Sequence, residues 1–256
     1  MGTSGLLLAI LSGLPLCAQT LKPAAIEDFD CYVRSAEDGM ARQPPLSPSE
    51  AAAVSTLPGN GSNPHKISGA MVYDWVGTVF IPGVTVERTV RMLQDYDHRA
   101  QYFPEMISSA RLLCRTGDDR FGFTMRLKEP SVIDTANDVV WERVDARHWR
   151  CHSYSTRVTE IGKQHGYLYR LNSYWRFAEI PHGVYVEGRT ITLSGEFGSL
   201  MRTLGSLAGI NPEKSLRKTL ASMRETMRKP GFEFNTPRAG TPDCGPPVPP
   251  PACASR

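Results

Sequence analysis

Hydrophobic and polar positions alternate with a period of two through much of the middle of the chain. In Arg120–Lys128, Phe121, Phe123, Met125 and Leu127 alternate with Gly122, Thr124, Arg126 and Lys128. That pattern predicts a strand with one face buried. Tyr167–Ile180 repeats it, with Tyr167, Tyr169, Leu171, Trp175 and Phe177 to one side and Arg170, Asn172 and Arg176 to the other. Met71–Phe80, Met106–Arg115, Val132–Val144, His148–Ile161 and Val184–Ser194 are rich in β-branched and aromatic residues, and they bring the predicted strands to seven. Gly117-Asp118-Asp119, Asp145-Ala146-Arg147 and Pro181-His182-Gly183 supply turns between them.

Elsewhere the spacing is helical. Leu216, Leu220, Met223 and Met227 form one stripe of a helix from Asn211 to about Lys229, with Asn211 as N-cap, Pro212 at the first position and Pro230-Gly231 as the stop. Thr85–Gln94 is a second helix, carrying Val86, Val90 and Leu93 on one side. Asp97 reads as the N-cap of a further short helix that reaches Tyr102 before Pro104. Ile26, Phe29 and Val33 suggest a helix from about Ala24 to Arg42, packed on the outside of the domain. Leu200, Leu204 and Leu207 mark a short helix before Gly209. An amphipathic helix needs a partner surface. Here that partner is a curved antiparallel sheet, so the fold class is α+β: seven strands wrapped on the long C-terminal helix, with two short helices after the first strand. The domain then spans 67–229, preceded by a helical extension and linker over 19–66. It is followed by a proline-rich tail over 230–256 that is expected to be disordered.

Composition changes this picture little. The 256 residues suffice for one sizeable core, and 41% hydrophobic content with a net charge of +3 is ordinary for a globular protein. A pI near 8.5 is too mild to argue nucleic-acid binding. No apolar run approaches the roughly 20 residues that span a membrane.

The N-terminus reads as an export signal: an apolar Leu6–Leu16 stretch precedes Cys17-Ala18-Gln19. It lacks Lys or Arg in Met1–Gly5, and a buried or disordered N-terminal segment is the alternative reading. Cleavage after Ala18 leaves Cys31, Cys114, Cys151, Cys244 and Cys253, an odd number that cannot all pair internally. In an oxidising compartment, Cys244 and Cys253 are candidates to close a loop within the tail. Cys114 and Cys151 fall in predicted strands and read as buried thiols.

The candidate chemistry is sparse. Asp95, Asp97 and His98 do not converge as metal ligands, and capping accounts for Asp97, so no metal and no cofactor is expected. The sequence contains no GxSxG motif and no Gly-rich phosphate loop. Along His148–Ile161, Ser153, Ser155 and Arg157 share one face, while His152, Tyr154 and Thr156 share the other. Arg126 and Arg157 are candidate anchors for a carboxylate or phosphate headgroup. His152 or Glu187 is the candidate acid or base if the pocket is catalytic. The aromatic rows place Trp75, Phe121, Phe123, Met125, Tyr167, Tyr169, Trp175 and Phe177 as the candidate lining of an apolar site. The basic outer face of 211–229 allows a peripheral membrane contact, or is simply solvated.

The order of elements resembles the START-like, or helix-grip, superfamily, which includes polyketide cyclase/aromatase-type and lipid-transfer domains. The resemblance covers Ile67–Lys229. It rests on Thr85–Leu113 with its Asp95-Tyr96-Asp97 joint and Tyr102-Phe103-Pro104-Glu105, on Asn172-Ser173-Tyr174-Trp175-Arg176-Phe177, and on Ser215-Leu216-Arg217 before Thr219-Leu220. It implies an apolar cavity between sheet and helix; with the signal-like N-terminus, the leading reading is a binder or carrier of a hydrophobic small molecule or lipid, exported from a bacterial cytoplasm. No catalytic residue is assigned. A cyclase-, aromatase- or dehydratase-type enzyme using the same cavity is the alternative.

Overall fold

The structure, a computed structural model, describes residues 21–43, 46, 54–60, 63–129, 131–162, 168–196, 211–229, 240–246, 248–249 and 253. The export-signal pattern, Tyr167, the short helix expected around Leu200–Leu207 and residues 230–239 of the tail lie outside the described residues.

The chain opens with α1 (Pro23–Ala41) and two short strands, β1 (Ser55–Pro58) and β2 (His65–Ile67). Then come β3 (Ala70–Pro82), α2 (Val86–Gln94), a 3-10 turn (Tyr96–His98) and α3 (Arg99–Tyr102). Six long strands follow: β4 (Ile107–Thr116), β5 (Arg120–Leu127), β6 (Ile133–Arg143), β7 (His148–Glu160), β8 (Arg170–Ile180) and β9 (Gly183–Gly195). The last described helix is α4 (Pro212–Arg228). The strands form one antiparallel sheet in the order β1-β3-β9-β8-β7-β6-β5-β4, with β2 also on β3. The seven long strands and their hairpin order are those predicted. The sheet gains β1 and β2 from a stretch expected to be loop, because strands of three or four residues are too short to show an alternation.

The sheet grips α4 through a close approach. Gly77 of β3 and Gly188 of β9 lie directly opposite each other in register. A Cβ on Gly77 would sit 2.6 Å from Leu220 Cδ1 and 3.2 Å from the Ser55 carbonyl, and one on Gly188 would sit 2.4 Å from the Trp175 ring. Two missing side chains thus make the trough that seats α4 and lets Trp175 lie flat against β9. Leu216, Leu220, Met223 and Met227 all enter the main core there, as their spacing predicted. Asn211 caps the helix by accepting from Lys214 N–H at 3.0 Å. A Gly77→Ala variant is expected to lose about 1–3 kcal/mol of stability through overpacking, read as a lower denaturant midpoint at unchanged slope.

Asp97 is not a helix cap. Its Oδ1 accepts from the Leu112 amide at 2.9 Å, tying the joint to β4. The joint turns so tightly that His98 precedes α3 and Asp97 points back at the sheet.

The outer face of the sheet is also covered. Ala25, Phe29, Val33 and Ala36 of α1 pack on Ala70, Val72, Ile191 and Leu193, giving a second core beneath the helix. Polar groups inside it are matched. Arg189 donates two hydrogen bonds to Asp74 at 2.8 and 2.5 Å, and the Tyr32 hydroxyl of α1 donates to the same carboxylate at 2.9 Å. Glu37 of α1 accepts from Tyr154 and Tyr174 at 2.5 and 2.8 Å.

The described part of the tail is pinned rather than free. Cys244 pairs with Cys114 and Cys253 with Cys31, so the two tail cysteines do not close a loop on each other. Proline excludes the tail from a sheet ladder, but its carbonyls still accept: Arg115 N–H donates to Pro242 O at 2.9 Å, and Arg120 to Pro246 O at 2.8 Å. Cys114 is therefore half of a disulfide, and Cys151 is the free buried thiol among the described residues.

Candidate functional site

Strand alternation decides which side chains face α4. On the inner face, β5 turns in Phe123, Met125 and Leu127, β6 turns in Ile133, Asn137, Val139 and Trp141, and β8 turns in Leu171, Ser173 and Trp175. With Leu93, Phe103 and Met106 from the helical joint and Leu216 and Thr219 from α4, these enclose a cavity of about 230 Å³. Its wall is mainly apolar. One polar row crosses it, because Ser153, Ser173 and Thr190 lie opposite one another on β7, β8 and β9. Further along β9, Thr192 lines the cavity with a buried hydroxyl that has no hydrogen-bond partner among the described residues.

The end of the cavity nearest α2 is built from aromatic packing. Tyr96 is fully buried, stacks on Phe123 at 4.5 Å and accepts from Trp141 Nε1 at 3.0 Å. Burial raises its hydroxyl pKa. Arg99 lies across both rings, its guanidinium carbon 4.5 Å from the Tyr96 centroid and 4.7 Å from that of Phe123. Cys151 lines the same end. Burial pushes its thiol pKa strongly upward, with the Arg99 charge opposing, so it stays protonated and poorly nucleophilic at neutral pH.

The predicted lining residues divide. Phe123, Met125 and Trp175 line the cavity. Phe121 and Phe177 face the same side but are consumed by packing, Phe121 on Tyr96 and Phe177 on Trp141. Trp75 packs against the same core without lining the cavity. Tyr169 precedes β8 and packs with the core beneath α1 instead, because the period-two pattern does not extend before Arg170.

Neither arginine anchor reaches the cavity. Arg126 lies at an even position of β5, opposite in parity to Phe123 and Met125, and forms a forked pair with Asp134 at 2.6 and 2.8 Å. That hydrogen-bonded pair raises the arginine pKa and lowers that of the carboxyl. Arg157 was expected to share a face with Ser153. A bulge against Ala136/Asn137 places one extra residue in β7, and the alternation slips, so Arg157 joins Arg126 and Asp134 on a separate depression away from the cavity.

The candidate acid–base residues are also elsewhere. Glu187 pairs with Arg176 at 2.7 Å, and His152 stacks near Tyr154 at 4.9 Å, both away from the cavity lining. Asp95 is occupied by His98 at 2.7 Å and by the Tyr102 hydroxyl. Among the described residues no group of three or more His, Cys, Asp or Glu is placed to hold a metal. The basic face of α4 is partly paired, Arg217 with Glu213 and Lys218 with Glu105 and Glu129.

His152 gives a pH prediction. Burial lowers its pKa below the ordinary 6.5, against the raising fields of Glu37, Asp138 and Glu142. The unfolded chain therefore gains a proton below pH 6.5 that the folded chain refuses. Stability is intact above 6.5 and falls as pH drops from there to the folded pKa. Urea midpoints against pH are expected to lose this segment of the decline in His152→Gln.

Sequence reasoning missed Arg99, Asn137, Trp141 and Leu93. The inner-face parity of β6 contained the signal for Asn137 and Trp141. Arg99 carried only a weak one, a lone cation between two buried tyrosines, Tyr96 and Tyr102.

No family model matches this sequence, and no curated protein matches it. Among solved structures, a STAR-related lipid transfer protein fragment from Xanthomonas axonopodis is 17% identical, covering 64% of this chain and 97% of its own, with a TM-score of 0.49. The lipid transfer and protein localization domain of human StarD13 is 10% identical, covering 80% and 98%, with a TM-score of 0.45. A START superfamily protein from Mycobacterium smegmatis is 9% identical, covering 59% and 94%, with a TM-score of 0.43. The helix-grip architecture assigned to this chain rests on its own strand order and on the seat of α4 between sheet and solvent.

Proposed function

We propose that this protein binds and carries a hydrophobic small molecule or lipid in the cavity between the sheet and α4. The observation that carries the reading is the cavity itself, about 230 Å³ and walled by Phe123, Met125, Leu127, Leu171, Trp175 and Leu216. Burial of apolar area there contributes roughly 25 cal/mol per Å². An engineered cavity of about 150 Å³ takes up benzene, so this one suits a body of roughly nine or ten carbons. Carriage is favoured over turnover by what faces the ligand. The titratable side chains in the described lining are Arg99, Glu129 and Cys151. The thiol is held protonated by burial, and Glu129 is held in an ion pair with Lys218.

The setting is an oxidising compartment reached by export. The signal-like start of the chain supports that, and so do two disulfides that close loops across 222 and 130 residues.

Native mass spectrometry on protein from its own host tests the reading. A co-purifying mass that is lost on denaturation is the expected result. Titration with the neutral fluorophore N-phenyl-1-naphthylamine is the second arm, and no uptake there, with no co-purifying mass, would overturn the proposal. Ser173→Phe fills the centre of the polar row and is expected to weaken uptake at least tenfold, with an unchanged far-ultraviolet spectrum.

A further inference from the structure

We propose that the ligand is an amphipathic acid whose carboxylate is received by Arg99 at the α2 end of the cavity. This rests on the reading that the cavity holds an apolar small molecule, and it adds the chemical class. Arg99 lines the cavity as a part-buried residue whose Nε is fully enclosed. Its known partners are neutral. Nη2 donates to the Leu93 carbonyl at 2.8 Å, Tyr96 supplies a hydroxyl, and the rings of Tyr96 and Phe123 face the cation. Its Nε is buried with no hydrogen-bond partner among the described residues. No carboxylate among them forms an ion pair with it. Asp95, whose charge favours the guanidinium from a distance, is itself engaged by His98 and Tyr102.

Such a cation is costly to keep. Burial disfavours its charged form, and the ring contacts offset only part of the cost of taking a guanidinium out of water. Two other arginines with little exposure are matched by carboxylates: Arg189 by Asp74 and Arg120 by Asp138. A carboxylate entering from the cavity would supply the missing countercharge and an acceptor for Nε in one group, which the planar fork of arginine favours. Its chain would then run along Met125 and Trp175 toward Leu216.

The probes are decanoate and 1-decanol, which share a chain and differ in the head group. Isothermal titration at pH 7.5 is expected to show wild-type protein binding decanoate at least tenfold more tightly than the alcohol. In Arg99→Met that preference is expected to fall below about twofold, with decanoate losing at least fivefold more affinity than decanol. Equal binding of the two probes by the wild type overturns the inference while leaving the cavity reading in place. So does an equal loss of both in the variant. Failure of both probes and of the naphthylamine to bind overturns the cavity reading itself. If Arg99→Met does not fold, carbonyl-labelled decanoate on the wild type decides. A bound carboxyl that titrates below its free value supports the contact with Arg99, and one that titrates at or above it refutes it.

Discussion

Replacing Asp74 with alanine is expected to cost about 3–5 kcal/mol of folding stability, a fall in melting temperature of roughly 6–20 °C for a domain of this size. Asp74 and Arg189 are both nearly inaccessible, at 3% and 8% of side-chain area. Removing the carboxylate leaves a guanidinium buried under α1 with no countercharge, and it frees the Tyr32 hydroxyl at the same time. Burial and the charge of Asp74 raise the Tyr32 pKa to about 12, which fits a hydroxyl that serves as a donor. The loss comes from stranding a charge more than from the worth of the pair, so a compensating change should recover most of it. Asp74→Leu with Arg189→Met is expected to regain the larger part, whereas Tyr32→Phe alone should cost only about 1 kcal/mol. Chemical denaturation of the four proteins measures this, and a single-variant loss below about 1 kcal/mol would refute it.

The second large effect is that of the Cys114–Cys244 bond. It closes a loop across 130 residues, and the chain-entropy relation gives about 4–5 kcal/mol for a loop of that size. Cys114→Ser with Cys244→Ser is expected to lower the melting temperature by roughly 8–20 °C. Loss of the bond also frees the contacts the tail makes beyond it, from Cys244 N–H to Thr116 Oγ1 and from Val248 N–H to Asp138. The sheet is shaped for this bond: a Cβ on Gly122 would sit 2.6 Å from Cys114 Sγ. Reductant added to the wild type should reproduce the loss and exceed it, since Cys31–Cys253 opens as well. A wild type whose melting is indifferent to reductant would contradict both this prediction and the proposed oxidising compartment.

The two cores differ in how much of them the sequence showed. The stripe Leu216, Leu220, Met223, Met227 and the alternation Phe121 to Leu127 are local patterns of one element each, and all of those residues face inward as read. The same parity already excluded Arg126 from the aromatic side, so its assignment as a cavity anchor conflicted with the pattern beside it. Arg157 is a different case. Its face depends on a bulge set by the pairing of β6 with β7, and no spacing within β7 reveals a register slip. Arg99 carried only its weak signal, because four helical residues have no period to assign it a face. Its place follows from the 3-10 turn that swings α3 across Phe123.

The sequence alone determined the seven long strands and their order, the α+β class and the inward stripe of α4, because these follow from periodicity, caps and turn residues within short windows. Tertiary structure decided the trough at Gly77 and Gly188, the pinning of the tail by Cys114 and Cys31, the ion pair under α1 and the cation at the cavity end. Each of these joins residues distant along the chain. Only the packed sheet brings them within the few ångströms over which sterics, hydrogen bonds and charge act.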